Sequence, residues 1–302
     1  MLEDLLTEQP NPASVGIDVL PTEGILHVIH AEDSRVPAAI NCEIKQIARA
    51  VDAVVEAIRN GGRLFYLGAG TSGRLGVLDA AECPPTFGVS PDLVQAIIAG
   101  GENALAQAGE ASEDDPEQGA RDLFARGFGG KDVLVGIAAS GRTPYVLGAV
   151  RAAREMGAMT ACICCSPGSP LAGAVNIPIV LLTGPEVIAG STRMKAGTAT
   201  KLVLNMISTA SMIRLGLVYG NLMVNVQPKN AKLADRARRI IAQTAQVSLE
   251  RAAQLLEESG GDVRVAILLE RLGVRREEAG ERLRKAGGRL SEALAQSGMG
   301  DR

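Results

Sequence analysis

The segment Gly68-Ala69-Gly70-Thr71-Ser72-Gly73-Arg74 combines glycines, two hydroxyl side chains and a cation. It follows an apolar run, Leu64 to Leu67, that predicts a buried strand, and it precedes residues that predict a helix. The first N–H groups of a helix have no partner inside it, and the helix dipole adds roughly half a positive charge there. The segment therefore predicts a phosphate-binding loop, with Gly70, Thr71 and Ser72 as binding residues.

The same glycines also fit G-x-G-x-x-G, the spacing of a dinucleotide-binding loop. That fingerprint expects an acidic residue at the end of the next strand, about 20 residues on. The next predicted strand is Val94–Ala99, and the first acid after it is Glu102. Because Thr71 and Ser72 add hydroxyl donors, the loop favours a phosphate monoester over a dinucleotide. A plain tight turn is the structural alternative.

A second loop of the same kind, Ala139 to Pro144, follows another predicted strand. Its proline suits the first turn of a helix, its hydroxyl groups can donate to oxygens, and its arginine adds positive charge. Ser and Thr also favour ordinary helix caps, but the match between the two loops favours binding. The candidate binding residues here are Ser140, Gly141, Arg142 and Thr143.

A third polar segment, Gly190 to Thr198, opens a predicted helix that runs toward Leu204. Basic side chains at the start of a helix gain nothing from the helix dipole. Their presence there suggests that the segment binds an anionic ligand, a sugar or a partner chain. Ser191 and Lys195 are its candidate binding residues.

Short apolar runs alternate with helical segments between residues 63 and 218, which predicts a parallel sheet covered on both faces. In such sheets ligands bind beyond the carboxyl ends of the strands, where the loops described above lie. The predicted strands are Leu64–Leu67, Val94–Ala99, Asp132–Ala138, Thr160–Cys165 and Ile177–Leu182. The predicted helices cover residues 71–82, 103–112, 117–126, 143–156 and 193–216.

The regions on either side of this alternating segment are predicted to have a different organisation. Turn-forming residues predict an extended arm over residues 1–20, which two helices follow, Pro21 to Arg35 and Ala38 to Arg59. The C-terminal part is predicted to contain helices only, at Ala231 to Glu258, Val263–Leu272, Arg275–Ala286 and Leu290–Ser297. We therefore divide the chain into an arm with helices (1–54), an α/β ligand-binding domain (55–218) and a helical subdomain (230–302).

Composition excludes several function classes. The net charge of −3 and the pI of about 5.6 give no basic surface for nucleic acid, and the 2% aromatic content with no Trp disfavours a base-stacking platform. The sequence contains no apolar run of 18 residues, and no transmembrane helix is therefore expected. The acidic N-terminus lacks the layout of a signal peptide, which favours a cytoplasmic protein.

The histidines and cysteines suggest no metal site. His27 and His30 are the only two histidines; surface or interface positions are favoured for them over a metal site or a proton shuttle. The five cysteines fit a reducing compartment, and the spacing of Cys162, Cys164 and Cys165 matches no zinc pattern. With so few histidines, carboxylates are the main candidates for acid–base chemistry.

Two hydroxyl-rich loops that each join a strand to a helix resemble those of the SIS (sugar isomerase) fold, which binds phosphosugars. Longer motifs make nearly the whole chain similar to the N-acetylmuramic acid 6-phosphate etherases. The motifs are Thr7-Glu8-Gln9 with Asn11, Gly68 to Gly76, Asp79 to Gly88, Ala139 to Tyr145, Gly190 to Thr198 and Gly220 to Val224. The expected fold is an SIS-type three-layer α/β sandwich with N-terminal helices and a C-terminal helical subdomain.

The resemblance implies a cytoplasmic homodimer that cleaves the lactyl ether of N-acetylmuramic acid 6-phosphate. The implied products are N-acetylglucosamine 6-phosphate and D-lactate, formed by elimination and then addition of water, in the recycling of peptidoglycan. It implies neither a metal nor an organic cofactor. An aldehyde at C1 of the open-chain sugar acidifies the C2 hydrogen, so two carboxylates with separated pKa values suit the proton transfers.

The family's functional carboxylates correspond to Glu82 and Glu113. Glu82 is interpreted as the proton donor and acceptor at the lactyl ether, and Glu113 as the second acid–base group near the C1–C2 end. Which of the two removes the C2 hydrogen is left open. Without the resemblance, Glu82 reads as a surface carboxylate at a helix end, and Glu113 as part of a solvated acidic run.

A helix from Thr71 to Glu82 would separate its ends by roughly 16 Å, at about 1.5 Å per residue. A hexose phosphate is shorter than that. We therefore hypothesise that Glu82 reaches the active site of the partner subunit. Two other functions stay open: a non-catalytic phosphosugar sensor like the glucokinase regulatory proteins, which have two SIS modules, and a phosphosugar isomerase, which would lack the Glu82 motif.

Overall fold

The computed structural model describes residues 6–106, 113–228 and 230–295. Contacts divide the chain into two compact units, one formed by Met1–Ala81 and Pro91–Ser208, the other by Glu82–Ser90 and Thr209–Arg302. The predicted domain boundaries at 54 and 218 stay a prediction. None of the helices in the described residues is both long and apolar enough to cross a membrane.

The first unit contains a parallel sheet. Its described strands are β1 (Leu64–Gly68), β2 (Val94–Ile98), β3 (Val133–Ile137), β4 (Met159–Cys164) and β5 (Ile177–Val180). They lie in the order β2-β1-β3-β4-β5, and every neighbouring pair is parallel, which confirms the predicted parallel arrangement. Their side chains are mostly apolar and mostly buried because helices cover both sheet faces.

The helices of the first unit lie close to the predicted segments, except for the helix Pro170–Ala174, which was not predicted. They are α1 (Thr22–Asp33), α2 (Val36–Arg59), α3 (Gly70–Phe87), α4 (Asn103–Ala106), α5 (Pro116–Ala125), α6 (Pro144–Glu155), α7 (Pro170–Ala174) and α8 (Lys195–Arg214). The last residues of α3 and of α8 belong to the second unit. The predicted helix over 103–112 is described only to residue 106; its remainder lies outside the described residues. The helix predicted to end at residue 82 continues through Pro84 and Pro85, and the Gly88 N–H closes its last turn on the Pro84 carbonyl.

The two sheet faces bury different helices. Phe65 and Leu134 share one face with side chains of α6, in a core cluster of the first unit. Gly76 of α3 approaches Tyr66 on the other face, where a Cβ on the glycine would stand 3.1 Å from the tyrosine Cβ. Alternation along each strand therefore gives the expected three layers of helix, sheet and helix.

The second unit is helical in its described residues, as predicted, with one correction. The segment predicted as a single helix, Ala231 to Glu258, is two helices separated by Gln246, which adopts a left-handed φ of 58°. The sequence has no glycine or proline at the break, and the segment was therefore predicted as one continuous helix. The helices are α9 (Ala231–Ala245), α10 (Leu249–Glu258), α11 (Val263–Leu272), α12 (Arg276–Lys285) and α13 (Leu290–Ala295); residues 296 and 297 of the last predicted helix lie outside the described range.

Two glycines let α5 and α6 pack with their backbones in contact. A Cβ on Gly148 would stand 1.8 Å from the Pro116 carbonyl oxygen, and one on Gly119 would stand 2.0 Å from the Tyr145 carbonyl oxygen. Neither neighbour is a flexible side-chain end, so the helices would have to move apart to admit a methyl group.

Gly148→Ala is therefore expected to destabilise the protein by roughly 3 kcal/mol, at the upper end of overpacking costs. The control is Gly173→Ala in α7, where a Cβ meets nothing within 4 Å and alanine is expected to be neutral or to stabilise by up to about 1 kcal/mol. Denaturant unfolding of both variants measures the difference. Equal stabilities would contradict the backbone contact.

Candidate active site

The two predicted phosphate loops lie side by side at the carboxyl edge of the sheet. The register pairs Gly68 at the end of β1 with Ile137 at the end of β3, so the loops after these strands are neighbours. Because β2 lies on the other side of β1, the chain changes direction between β1 and β3. Such a switch point is where open α/β sheets bind ligands.

A cavity of about 640 Å³ opens at this point. It is formed by residues of the first unit alone: the loops after β1 and β3, the acidic segment before α5, the loop before α8 and the N-terminal arm. Its lining residues are Thr7, Glu8, Ala69, Gly70, Thr71, Ser72, Arg74, Glu113, Asp114, Ile137, Ala138, Ala139, Ser140, Thr143, Gly190 and Thr192.

The first loop turns directly into α3, which begins at Gly70. The turn is so tight that a Cβ on Gly73 would stand only 2.7 Å from the Gly68 carbonyl oxygen and 2.6 Å from Ile98 Cγ1, and position 73 therefore needs a glycine. The half-buried side chains of Thr71 and Ser72 line the cavity beside the helix N-terminus. Hydroxyl side chains, the first N–H groups of the helix and the positive end of its dipole lie together there, an arrangement that suits a phosphate.

The second loop presents its two hydroxyl residues to the same cavity. The Thr143 side chain makes no capping hydrogen bond in the described helix α6, which removes the simple helix-cap alternative for this residue. Ser140 Oγ accepts the Arg142 N–H at 3.2 Å. Gly141 is buried and Arg142 is exposed, and neither lines the cavity in the described residues.

Glu113 lies at the junction of the two loops. A Cβ on Gly70 would stand 3.2 Å from its Oε1, so the carboxylate lies beside the start of α3. Its carbonyl oxygen accepts the Tyr145 N–H of α6 at 3.0 Å. Glu113 is half-buried on the cavity wall, whereas the neighbouring Asp114 and Asp115 are exposed. It therefore differs from an ordinary solvated acidic residue.

Asp115 has a separate local function, because its Oδ1 accepts the N–H groups of Glu117 and Gln118 at 2.9 and 3.0 Å and so caps α5. The backbone N–H bonds, together with the nearby Arg121, lower the pKa of the Asp115 carboxyl. The cap fixes where the helix starts and thereby places Glu113 just before it.

The loop before α8 and the N-terminal arm form the remaining wall. The Gly190 N–H donates to the Thr7 carbonyl oxygen at 2.9 Å, which ties the arm to this loop. Gly190 and Thr192 line the cavity, whereas the predicted binding residue Ser191 is half-buried beside them and does not.

Lys195, another predicted binding residue, is fully buried and forms an ion pair with Glu32 of α1. Glu32 also accepts hydrogen bonds from Asn11 Nδ2 at 2.7 Å and from Arg35 at 3.0 Å. Burial raises the pKa of Glu32, but these partners outweigh it and lower the pKa to about 2. The ion pair accounts for a lysine at a helix start without any ligand.

Glu186 supplies the cap of α8. Its carboxylate accepts the N–H groups of Lys195 at 3.0 Å and Ala196 at 2.9 Å, and burial raises its pKa despite these bonds. A carboxylate at the N-terminus of a helix also interacts favourably with the positive end of the helix dipole. Glu32 and Glu186 together offset the lysine charge that the helix N-terminus disfavours.

Glu82, the other predicted catalytic residue, belongs to the second unit, and its side chain is exposed. His27 and His30 are both exposed on α1, with His27 Nε2 3.6 Å from Glu23 Oε1. The described residues contain no group of three or more His, Cys, Asp and Glu side chains able to hold a metal ion. All five cysteines are free thiols.

Several wall residues were not among the sequence candidates, namely Thr7, Glu8, Arg74, Asp114 and Thr192. Arg74 Nε donates to the carbonyl oxygens of Ala104 and Leu105. The arm was noted in the sequence only through the family motif that contains Thr7 and Glu8. Nothing in its local sequence predicts that it returns to the edge of the sheet.

Comparison with known proteins identifies two domain families. Residues 46–154 match the glucokinase regulatory protein N-terminal SIS domain, and residues 128–210 match the SIS domain. The solved phosphoheptose isomerase GmhA from Neisseria gonorrhoeae is 19% identical, with a TM-score of 0.49 over 63% of this chain and 98% of its own.

Full-length relatives are much more similar. The N-acetylmuramic acid 6-phosphate etherase of Photorhabdus laumondii is 51% identical over 92% of both chains. The N-acetylmuramic acid 6-phosphate etherase of Geobacillus thermodenitrificans is 51% identical over 97% of this chain and 100% of its own.

Glu32→Gln is expected to destabilise the protein by about 3–5 kcal/mol at pH 7, because Lys195 would remain buried without its counter-charge. The Glu32 pKa lies below its ordinary value of 4.5, so its stabilisation is complete above about pH 4.5 and is lost as the pH falls toward 2. Unfolding of wild type and variant across this range should show their difference shrinking only in that window.

The matched control is the double variant Glu32→Gln with Lys195→Met, which removes both charges. It is expected to be more stable than Glu32→Gln alone. A double variant whose loss equals the sum of the two single losses would contradict direct pairing.

Proposed function

We propose that this chain, which belongs to the N-acetylmuramic acid 6-phosphate etherase family, cleaves the D-lactyl ether of N-acetylmuramic acid 6-phosphate. The products are N-acetylglucosamine 6-phosphate and D-lactate, which makes the enzyme a carbon–oxygen lyase of peptidoglycan recycling. The observation that carries this proposal is about 50% identity to etherases over more than nine-tenths of both chains. The cavity at the switch point suits a phosphosugar of this size.

The phosphate is proposed to bind at the N-terminus of α3. Gly70 and the hydroxyls of Thr71 and Ser72 would hold it from one side, and the loop after β3 from the other. This assignment is supported by the cavity that the two loops share. The proposed substrate-binding residues are the sequence candidates that line this cavity, Gly70, Thr71, Ser72, Ser140 and Thr143. For Gly141, Arg142, Ser191 and Lys195, which do not line it, binding stays a prediction from the sequence.

The reaction consists of an elimination and a hydration. In the open-chain sugar a base removes the C2 proton, the C3–oxygen bond breaks, and an acid protonates the departing lactyl oxygen. Water then adds to the conjugated alkene, its hydroxyl to C3 and its proton to C2. We propose that Glu113 is the acid–base group at the C1–C2 end of the sugar and that Glu82 donates and accepts the proton at the lactyl oxygen. The role of Glu113 is supported by its half-buried position beside α3.

We further propose that the enzyme acts as a homodimer in the cytoplasm. The five free thiols fit a reducing compartment. Val15 and Val19 on the arm are 81% and 80% exposed, and Leu26 on α1 is 60% exposed, which makes these apolar side chains candidates for contact with the partner. Glu82 would then act in the partner's cavity.

The direct experiment is to incubate the purified protein with N-acetylmuramic acid 6-phosphate and measure D-lactate. Stoichiometric release of lactate and N-acetylglucosamine 6-phosphate is expected. A phosphosugar sensor would bind without any release, and an isomerase would convert a sugar phosphate without lactate. Either result would overturn the etherase assignment.

Glu113→Gln is expected to lower kcat by about 10²–10⁴, the usual contribution of a general acid or base. Binding of N-acetylglucosamine 6-phosphate should persist, because the phosphate loops are intact. The control is Glu117→Gln, an exposed acid on α5 that does not line the cavity. Equal activities of the two variants would contradict a role for Glu113 in proton transfer.

A mixed dimer of Glu82→Ala and Glu113→Gln subunits tests whether Glu82 acts across the dimer. In a two-fold dimer one of its two sites would combine Glu113 of one subunit with Glu82 of the other. About half of the wild-type activity is therefore expected in doubly tagged, tandem-purified heterodimers. Heterodimers as inactive as either parent would show that both carboxylates act within one subunit.

A further inference from the structure

The N-terminal arm contributes two side chains, Thr7 and Glu8, that the proposed mechanism does not use. Both line the cavity and lie outside the two phosphate loops. Thr7 is 1% exposed, and its hydroxyl has no hydrogen-bond partner among the described residues. A buried hydroxyl without a partner is unfavourable and calls for an explanation. Because Thr7 lines the cavity, a ligand that reaches this hydroxyl would supply the missing partner.

Glu8 is exposed to the same space. Its carboxylate lies over Gly190, where a Cβ would stand 2.9 Å from Glu8 Oε2. A larger residue at position 190 would displace the carboxylate, so this glycine leaves room for it. Thr7 and Glu8 thus place a hydroxyl donor and a charged acceptor next to each other on one wall.

The position of the arm is fixed on both sides of this pair. The Gly190 N–H donates to the Thr7 carbonyl oxygen at 2.9 Å. Farther along, Asn11 Nδ2 donates to Glu32 at 2.7 Å and to the Pro185 carbonyl oxygen at 3.0 Å. These buried bonds hold the arm in place before any ligand arrives, which lowers the cost of ordering it on binding.

Charge decides which part of a phosphosugar this wall can contact. A carboxylate repels the phosphate, so Glu8 belongs beside the neutral part of the ligand. There the sugar offers hydroxyl groups and an acetamido group, whose O–H and N–H groups a carboxylate accepts. The acetamido carbonyl can accept from a threonine hydroxyl.

We propose that Thr7 and Glu8 form a sugar-binding subsite. They would form hydrogen bonds with the hydroxyl or acetamido groups of the phosphosugar while the two loops bind its phosphate. This inference rests on the proposed function for the identity of the ligand. It makes the arm a determinant of specificity, because a site with buried hydrogen-bonding groups discriminates strongly against ligands that leave them unpaired.

The test uses Thr7→Val, which keeps the side-chain shape, and Glu8→Gln, which removes the charge. Calorimetry gives the affinity of each full-length variant for N-acetylglucosamine 6-phosphate, glucose 6-phosphate and inorganic phosphate. Both variants should bind N-acetylglucosamine 6-phosphate about tenfold more weakly or worse, with inorganic phosphate within about twofold of wild type. Asp18→Asn, an exposed acid on the same arm that does not line the cavity, should change neither.

Thr7→Val has a second readout that a structural role would not give. Removing an unpartnered buried hydroxyl should leave the Tm of the ligand-free protein equal to or above that of wild type. If only N-acetylglucosamine 6-phosphate loses affinity, the subsite reads the acetamido group; if glucose 6-phosphate loses as much, it reads hydroxyl groups. Either result supports the subsite.

Sugar-phosphate affinities within about twofold of wild type in both variants would overturn the subsite, as would an equal loss of inorganic phosphate binding. Wild type that binds N-acetylglucosamine 6-phosphate but releases no lactate would overturn the proposed reaction and leave the subsite standing. Wild type that binds no sugar phosphate would overturn both.

Discussion

The parallel pairing of β1 with β3 is the constraint on which the site depends. Because Gly68 and Ile137 are register partners, two loops that are about 70 residues apart in sequence meet at one edge of the sheet. Each loop alone is an ordinary strand-to-helix turn. Their proximity produces a cavity with hydroxyl groups on both sides of a helix N-terminus, and the acidic segment before α5 adds Glu113 between them.

A buried ion pair holds the opposite wall. Lys195 and Glu32 connect the start of α8 to α1, and Asn11 extends the connection to the arm. A buried pair is weak evidence for stability, because desolvation offsets much of its attraction. Its effect here is positional: it fixes the arm where Thr7 and Glu8 face the cavity. The unusual lysine at the start of α8 thus helps to position the arm without itself lining the cavity.

The sequence was sufficient for the features that local chemistry determines. The five strands, the two hydroxyl-rich loops and the parallel sheet follow from apolar runs and from glycine and hydroxyl spacing, and the structure confirms them. Features that depend on distant residues were not accessible. The break at Gln246 has no glycine or proline signal, and the partner of Lys195 lies 163 residues away. Thr7 and Glu8 reach the cavity only through the tertiary fold.

A crystal structure with N-acetylglucosamine 6-phosphate bound tests the central claim most directly. The account predicts that the phosphate lies at the N-terminus of α3, within hydrogen-bond distance of Thr71 or Ser72 and facing the loop after β3. It also predicts that the carboxylate of Glu113 lies beside the sugar carbons. A sugar phosphate bound away from these two loops would contradict it.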